Sequence, residues 1–237
     1  MTESMLSIQN LNIAFLAGKA RTTSVKSISF DVGEGEILGI VGESGSGKSL
    51  SCLAVAGLLP ATALVTGSVT IGSQTFAASE LHNALVAKKL PPIGMIFQEP
   101  ISCLNPVRTV GEQTAEAARS AGHAVEEARQ IALQMLKDVA IDQPEKRYHD
   151  YPSQFSGGMC QRVMIAMALA LEPRLVIADE PTTALDVTVQ QQVVSLLVSL
   201  VRRRGIAMIF ISHDLDLVAE VCDRIAIMYG GEIVEID

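Results

Sequence analysis

Apolar and polar residues alternate along Leu6–Ile13 and again along Ser24–Val32, where Val25, Ile28, Phe30 and Val32 are the expected inward positions. A period of two predicts strands, and the polar stretch Gly18–Thr23 between them predicts a turn, so the chain should open with a small antiparallel sheet beside a main one. From Glu36 the pattern changes. Ile37–Val41 is a short, continuous apolar run bounded by glycines, as a strand buried on both faces requires. A Gly-rich loop follows it, then helical spacing over Ser49–Leu59 up to Pro60. Val65–Ile71 and Ile93–Phe97 read as further strands. Val110–Ala121 and Ala124–Val139 are Ala-, Glu- and Arg-rich with helical spacing, and a proline-bounded connection spans Pro144–Pro152. Residues from about 99 to 155 are therefore expected to form a helical insertion within one domain. Alternation then resumes: helix Gly158–Leu171, strand Leu175–Ala178, helix Val187–Arg204, strand Ala207–Ile211, helix Leu215–Val221, and strands Ile225–Met228 and Glu232–Ile236. Strands and helices taking turns predict an α/β fold with a mainly parallel core sheet and right-handed crossovers.

Composition supports that picture and narrows the function. Of 237 residues, 49% are hydrophobic but only 4% aromatic, the aliphatic profile of buried parallel strands. The net charge of −8 argues against nucleic acid as a partner, because such binding works through a broad basic face. The cysteines Cys52, Cys103, Cys160 and Cys222 are scattered without a C-x-x-C pair, which favours reduced, buried thiols over zinc or disulfides. Met1–Leu11 has neither a basic leader nor a long apolar run, and no window has the length of a membrane-spanning helix. Membrane contact, on this reading, is peripheral and made through another protein.

The strongest chemical signal is Gly42-Glu43-Ser44-Gly45-Ser46-Gly47-Lys48-Ser49, a complete G-x-x-x-x-G-K-[ST] motif between a predicted strand and a predicted helix. Glycines let successive backbone N–H groups turn towards one anion, and the helix N-terminus adds its dipole. Lys48 would supply positive charge to the β and γ phosphates of a nucleotide, and the Ser49 hydroxyl would ligate Mg²⁺. A Gly/Ser-rich turn that merely precedes a lysine would lack this strand and helix. Leu175–Ala178 ends in Asp179-Glu180, and carboxylates at the carboxyl end of a parallel strand face the ligand crevice. Asp179 is the expected Mg²⁺ partner and Glu180 the expected base for an attacking water.

Further residues carry a family resemblance. Phe155-Ser156-Gly157-Gly158-Met159 resembles the signature sequence of ABC ATPases, at that family's spacing from Asp179. Gln98 resembles the Q-loop glutamine, Ala184-Leu185-Asp186 the D-loop, and His213 the switch histidine. The ordered set spans essentially the whole chain. The resemblance implies one ABC nucleotide-binding domain over residues 1–237 that binds and hydrolyses ATP with Mg²⁺, with Glu180, His213 and Gln98 catalytic and Ser49, Gln98 and Asp179 at the metal. It further implies a head-to-tail dimer with a second ATP-binding subunit, in which Ser156, Gly157 and Gly158 complete the other subunit's nucleotide pocket, and it implies that Asp186 of the D-loop binds nucleotide as well. Met159 stands where the family usually has Gln. Phe15 is the candidate for the adenine-stacking aromatic, with core packing as the alternative.

Within that family, Met95-Ile96-Phe97-Gln98-Glu99-Pro100, Gly158–Ala166 and Ala178–Asp186 resemble the importer ATPases for dipeptides, oligopeptides and nickel. This implies membrane-spanning permease subunits as partners, a periplasmic or extracellular substrate-binding protein acting indirectly, and a peripheral place on the cytoplasmic face of the inner membrane. Ile101, Leu104 and Val107 are candidates for the permease contact or for packing within the insertion. Members of that family usually continue with a further C-terminal segment beyond the point where this sequence reaches Asp237. A soluble ABC ATPase acting on ribosomes or DNA is the alternative function; such relatives normally carry two cassettes in one chain, or large insertions and basic arms.

Overall fold

The computed structural model describes residues 4–17, 20–182 and 186–237. The chain opens with β1 (Ser4–Ala17) and β2 (Ala20–Gly33), paired antiparallel from Ser4↔Gly33 to Ala17↔Ala20. Both strands are longer than the alternation predicts, and Ala20–Thr23, expected in a turn, is strand; Gly18 and Lys19 lie outside the described residues. Thr22 and Thr23 are exposed but β-branched, and they pair with Phe15 and Ala14 across the ladder. Val25 and Ile28 both point inward although three residues apart, because the ladder is bulged there. Asn10 and Ser27 take positive φ of 51° and 52°, and the Ser27 amide donates to Asn12 Oδ1 at 2.9 Å.

Next come β3 (Ile37–Gly42), α1 (Lys48–Val55), β4 (Ala63–Ile71), β5 (Gln74–Ala77) and α2 (Leu81–Val86). Helix α1 stops well before Pro60. Gly57 turns the chain out at φ +69°, where a Cβ would stand 2.8 Å from the Leu81 carbonyl oxygen. Then follow β6 (Ile93–Ile96), α3 (Pro100–Cys103), α4 (Val110–Ser120), α5 (Val125–Asp138), α6 (Pro144–Arg147), α7 (Gly157–Ala170), β7 (Leu175–Asp179) and α8 (Val187–Arg204). The chain closes with β8 (Ala207–Ile211), α9 (Leu215–Val221), β9 (Arg224–Tyr229) and β10 (Glu232–Ile236).

These elements form two compact units, Met1–Pro91 with Ala207–Asp237, and Pro92–Ile206. In the first, β2-β1-β4-β5 make the antiparallel sheet. Beside it β3 lies parallel to both β8 and β9, with β10 antiparallel on β9. The Lys26 amide donates to the Gly231 carbonyl at 2.7 Å, tying β2 to the β9–β10 turn. Strand β3 is buried from Ile37 to Val41, and α9 packs so closely on it that a Cβ at Gly39 would meet Val218 Cγ1 at 2.4 Å. In the second unit β6 and β7 are parallel, and α7 packs against α3, α4, α5, α8 and β6. Its core is aliphatic: Val163, Ile165, Ala166 and Leu169 of α7 with Val176 and Ile177 of β7. Thr109 and Glu112 form a capping box at α4, and Arg204 reaches Asp138 at 2.8 Å. Among the described residues no helix is long and apolar enough to cross a membrane. The four cysteines are free; Cys103 is exposed, against the expectation of buried thiols.

Candidate functional site

The Gly-rich segment folds as a tight loop between β3 and α1. Gly42, Gly45 and Gly47 take positive φ of 150°, 81° and 101°. At Gly42 a Cβ would lie 2.0 Å from the Met228 carbonyl oxygen, and at Gly47 it would lie 2.9 Å from Val25 Cγ2 and 3.0 Å from the Ser24 carbonyl oxygen. The loop is thus seated on β9 and β2, on backbone that cannot yield, and only glycine fits either position. No motif flags Met228, Ser24 or Val25, because they act through backbone or through shape.

Lys48 begins α1 and is 6% exposed. Its ammonium donates to the Gly42 and Glu43 carbonyl oxygens at 2.7 and 2.9 Å, so the charge is held across the loop. Among the described residues Ser46 Oγ is buried without a hydrogen-bond partner and no side chain caps the start of α1. A buried cation, an orphaned hydroxyl and uncapped helical N–H groups together suit a polyanion, and phosphate fits this donor set. Ser49 stands in the first turn of the same helix.

The other two predicted positions of this unit lie on or just beyond its strands. His213 is exposed just past β8, where Asp214 caps α9 by accepting from the Leu217 amide at 3.1 Å. Phe15 is half-buried in the middle strand of the antiparallel sheet, flanked by Thr22 and Ala63. That exposure is neither a core aromatic's nor a free one's.

In the second unit the parallel register sets the carboxylates. Ile96 lies opposite Ala178, so Gln98 and Glu180, each two residues on, leave adjacent strands together. Gln98 Nε2 donates to Glu180 Oε2 at 3.3 Å. Asp179 ends β7, and Asp179 and Glu180 are both half-buried. Glu180 takes φ +45°, a left-handed conformation that costs about 1–2 kcal/mol for a residue with a side chain. Strain of this kind collects where a side chain must be aimed. The Gln98 amide oxygen and the Asp179 carboxylate are oxygen ligands of the kind Mg²⁺ takes.

Helix α7 begins at the predicted signature. Ser156 is its exposed N-cap, and its hydroxyl accepts from the Met159 amide at 3.3 Å. Gly158 is buried against α8, with room for no side chain: a Cβ would meet Val189 Cγ1 at 2.6 Å. Asp186 caps α8 by accepting from the Val189 amide at 3.0 Å, while Ala184 and Leu185 of the same motif lie outside the described residues. Of the three candidate contact residues in the insertion, Ile101 and Val107 are 66% and 78% exposed, but Leu104 is 3% exposed. Leu104 is therefore packing, and its side chain is not available to a partner. Its amide donates to the Pro100 carbonyl and closes the short helix α3, turning the side chain inward.

Comparison with known proteins converges on one family. A family model described as ABC transporter matches residues 25–183. The probable peptide ABC transporter ATP-binding protein y4tR of Sinorhizobium fredii is 48% identical over 235 residues, which is 98% of this chain and 70% of that protein. The dipeptide transport ATP-binding protein DppD of Haemophilus influenzae is 47% identical over 237 residues, 98% of this chain and 71% of its own length. Among solved structures, the dimeric post-hydrolysis state of the ATP-binding cassette MJ0796 bound to ADP and Pi is similar at a TM-score of 0.82. It is 29% identical in sequence, with 98% of each chain covered.

Proposed function

The chain belongs to the ABC transporter family of ATPases, and from that premise we propose that it is the ATP-hydrolysing subunit that energises peptide uptake by a membrane importer. The observation that carries the reading is the phosphate loop, in which the buried Lys48 ammonium and three positive-φ glycines surround the unpartnered Ser46 hydroxyl. Peptide is the favoured solute because the relatives are named for peptide and dipeptide transport. The soluble alternative is not favoured, since these relatives are transport proteins and the chain is acidic.

In this reading the whole chain acts as one nucleotide-binding domain with a helical subdomain over about residues 99–155. Residues Gly42–Ser49 bind the nucleotide phosphates, and Phe15 stacks on adenine. Ser49, Gln98 and Asp179 would hold Mg²⁺, which when bound neutralises phosphate charge. Glu180 accepts a hydrogen bond from the attacking water and takes its proton, steered by Gln98, with His213 beside the terminal phosphate. Ser156, Gly157, Gly158 and Asp186 serve the nucleotide of a second ATP-binding subunit. Permease subunits dock on the insertion through Ile101 and Val107, holding the protein peripherally at the cytoplasmic face of the membrane, and a substrate-binding protein outside delivers the peptide.

Uptake of a labelled di- or oligopeptide by cells lacking this gene is the test. Uptake should be lost, restored by the wild-type chain and not restored by Glu180→Gln. Normal uptake in the deleted strain, with ATP hydrolysis intact in the purified protein, would reject the assigned solute.

A further inference from the structure

Helix α7 buries one polar side chain to which none of the roles given above falls. Gln161 is fully buried, and among the described residues neither its amide oxygen nor its amide nitrogen has a hydrogen-bond partner. An unpaired buried amide is costly at both ends, and a chain normally fills such a place with an apolar residue.

Its surroundings can be read from the helix. Gly158 and Gln161, and Gln161 and Met164, are each three apart and so adjoin in turn on the helix surface. At one end Gly158 meets Val189 near the start of α8. At the other, Met164 Sδ accepts from the Phe97 amide at 3.0 Å. Phe97 follows Ile96, whose register partner is Ala178, so the Met164 end sits level with Asp179. Between Asp179 and α8 the described chain is the turn Glu180-Pro181-Thr182, where Glu180 is held at φ +45° and Pro181 and Thr182 are buried. Gln161 lies between those two anchors, all within one compact unit.

We propose that Gln161 is a positioning residue for hydrolysis: during the ATP cycle the Glu180-Pro181-Thr182 turn shifts, and the Gln161 amide bonds its backbone and fixes the aim of the Glu180 carboxylate. The inference rests on the ATPase reading given above. The resting turn and the engaged turn are then two discrete arrangements, and the unpaired amide is what the resting one gives up. Because the residue acts through Glu180, its loss should lower kcat and leave the KM for ATP nearly unchanged.

Gln161→Met keeps the length of the side chain and removes both polar ends. The nucleotide-free variant should melt about 2 °C or more above the wild type, since an unpaired amide has been replaced by an apolar group. Its kcat should fall about 10-fold or more, with KM for ATP within about twofold of the wild-type value. A lower melting temperature, or failure to fold, overturns the inference whatever the rate, because the amide would then be bonded already in the resting protein. An unchanged kcat overturns it whatever the melt, and so does a loss that appears in KM alone. A wild-type protein that does not turn over ATP overturns the ATPase reading and this inference with it, whereas normal wild-type turnover with an unaffected variant removes Gln161 only.

Discussion

Helices α1 and α7 both begin in glycine-rich turns, yet they close their N-termini in different ways. At α1 the N-cap is Gly47, which has no side chain to offer, and Lys48 folds back on the carbonyl oxygens of Gly42 and Glu43. At α7 the N-cap is Ser156, whose own hydroxyl satisfies the Met159 amide while the residue stands exposed. The first start leaves its donors open and surrounds them with backbone that only glycine tolerates. The second is already capped and stable without a ligand. The difference teaches where anion binding is obligatory and where it is added. The α1 loop makes chemical sense only around phosphate, whereas α7 is closed by its own Ser156 cap and needs no anion to stand.

Substitutions should separate the two. Lys48→Ala removes the buried cation of α1 and should weaken ATP binding about 10- to 100-fold, the worth of a charge-assisted contact. Calorimetric titration that shows unchanged affinity would break the comparison at its stronger side. Ser156→Ala should cost about 1 kcal/mol of stability through the lost cap, and Ser156→Gly only a few tenths. Thermal melts showing no difference between the two would mean the cap contributes nothing. Smallest is an effect behind α7, where His123 lies 3.2 Å from Glu127 and 3.1 Å from Glu172. The Glu127 hydrogen bond, followed by Glu172, raises the His123 pKa above its usual value. Its folded value therefore exceeds the unfolded one, and its contribution is fully present below about pH 6.5 and fades as pH rises through the folded value. His123→Gln should lower the melting temperature more at about pH 6 than at about pH 8.5. An equal shift at both would discard the ion pairs.

The sequence made the parallel strands and long helices legible because each is a periodic apolar pattern with a terminator at its end. Helix Val187–Arg204 and strands Ala207–Ile211 and Glu232–Ile236 have the bounds the pattern predicts. Strand β5 and helix α2 carry no clear pattern, since Gln74–Ala77 is mostly exposed and α2 is shorter than two turns. The length of β1 and β2 was underestimated because exposed threonines read as turn while pairing as strand. Leu104 was legible as apolar but not as inward, a distinction that only the closing of α3 decides. Around the phosphate loop the motif located the chain, but the floor beneath it comes from Ser24, Val25 and Met228, outside the motif in sequence. Gln161 lies within the stretch Gly158–Ala166 that carries the importer resemblance, but a glutamine on a helix suggests no role of its own until its burial is known.

The most direct test of the account pairs two measurements on Glu180→Gln, steady-state ATP hydrolysis and calorimetric ATP binding. Turnover should fall about 10²- to 10⁴-fold, as for the loss of a general base, with ATP affinity close to that of the wild type. Turnover near the wild-type rate with ATP bound would contradict it.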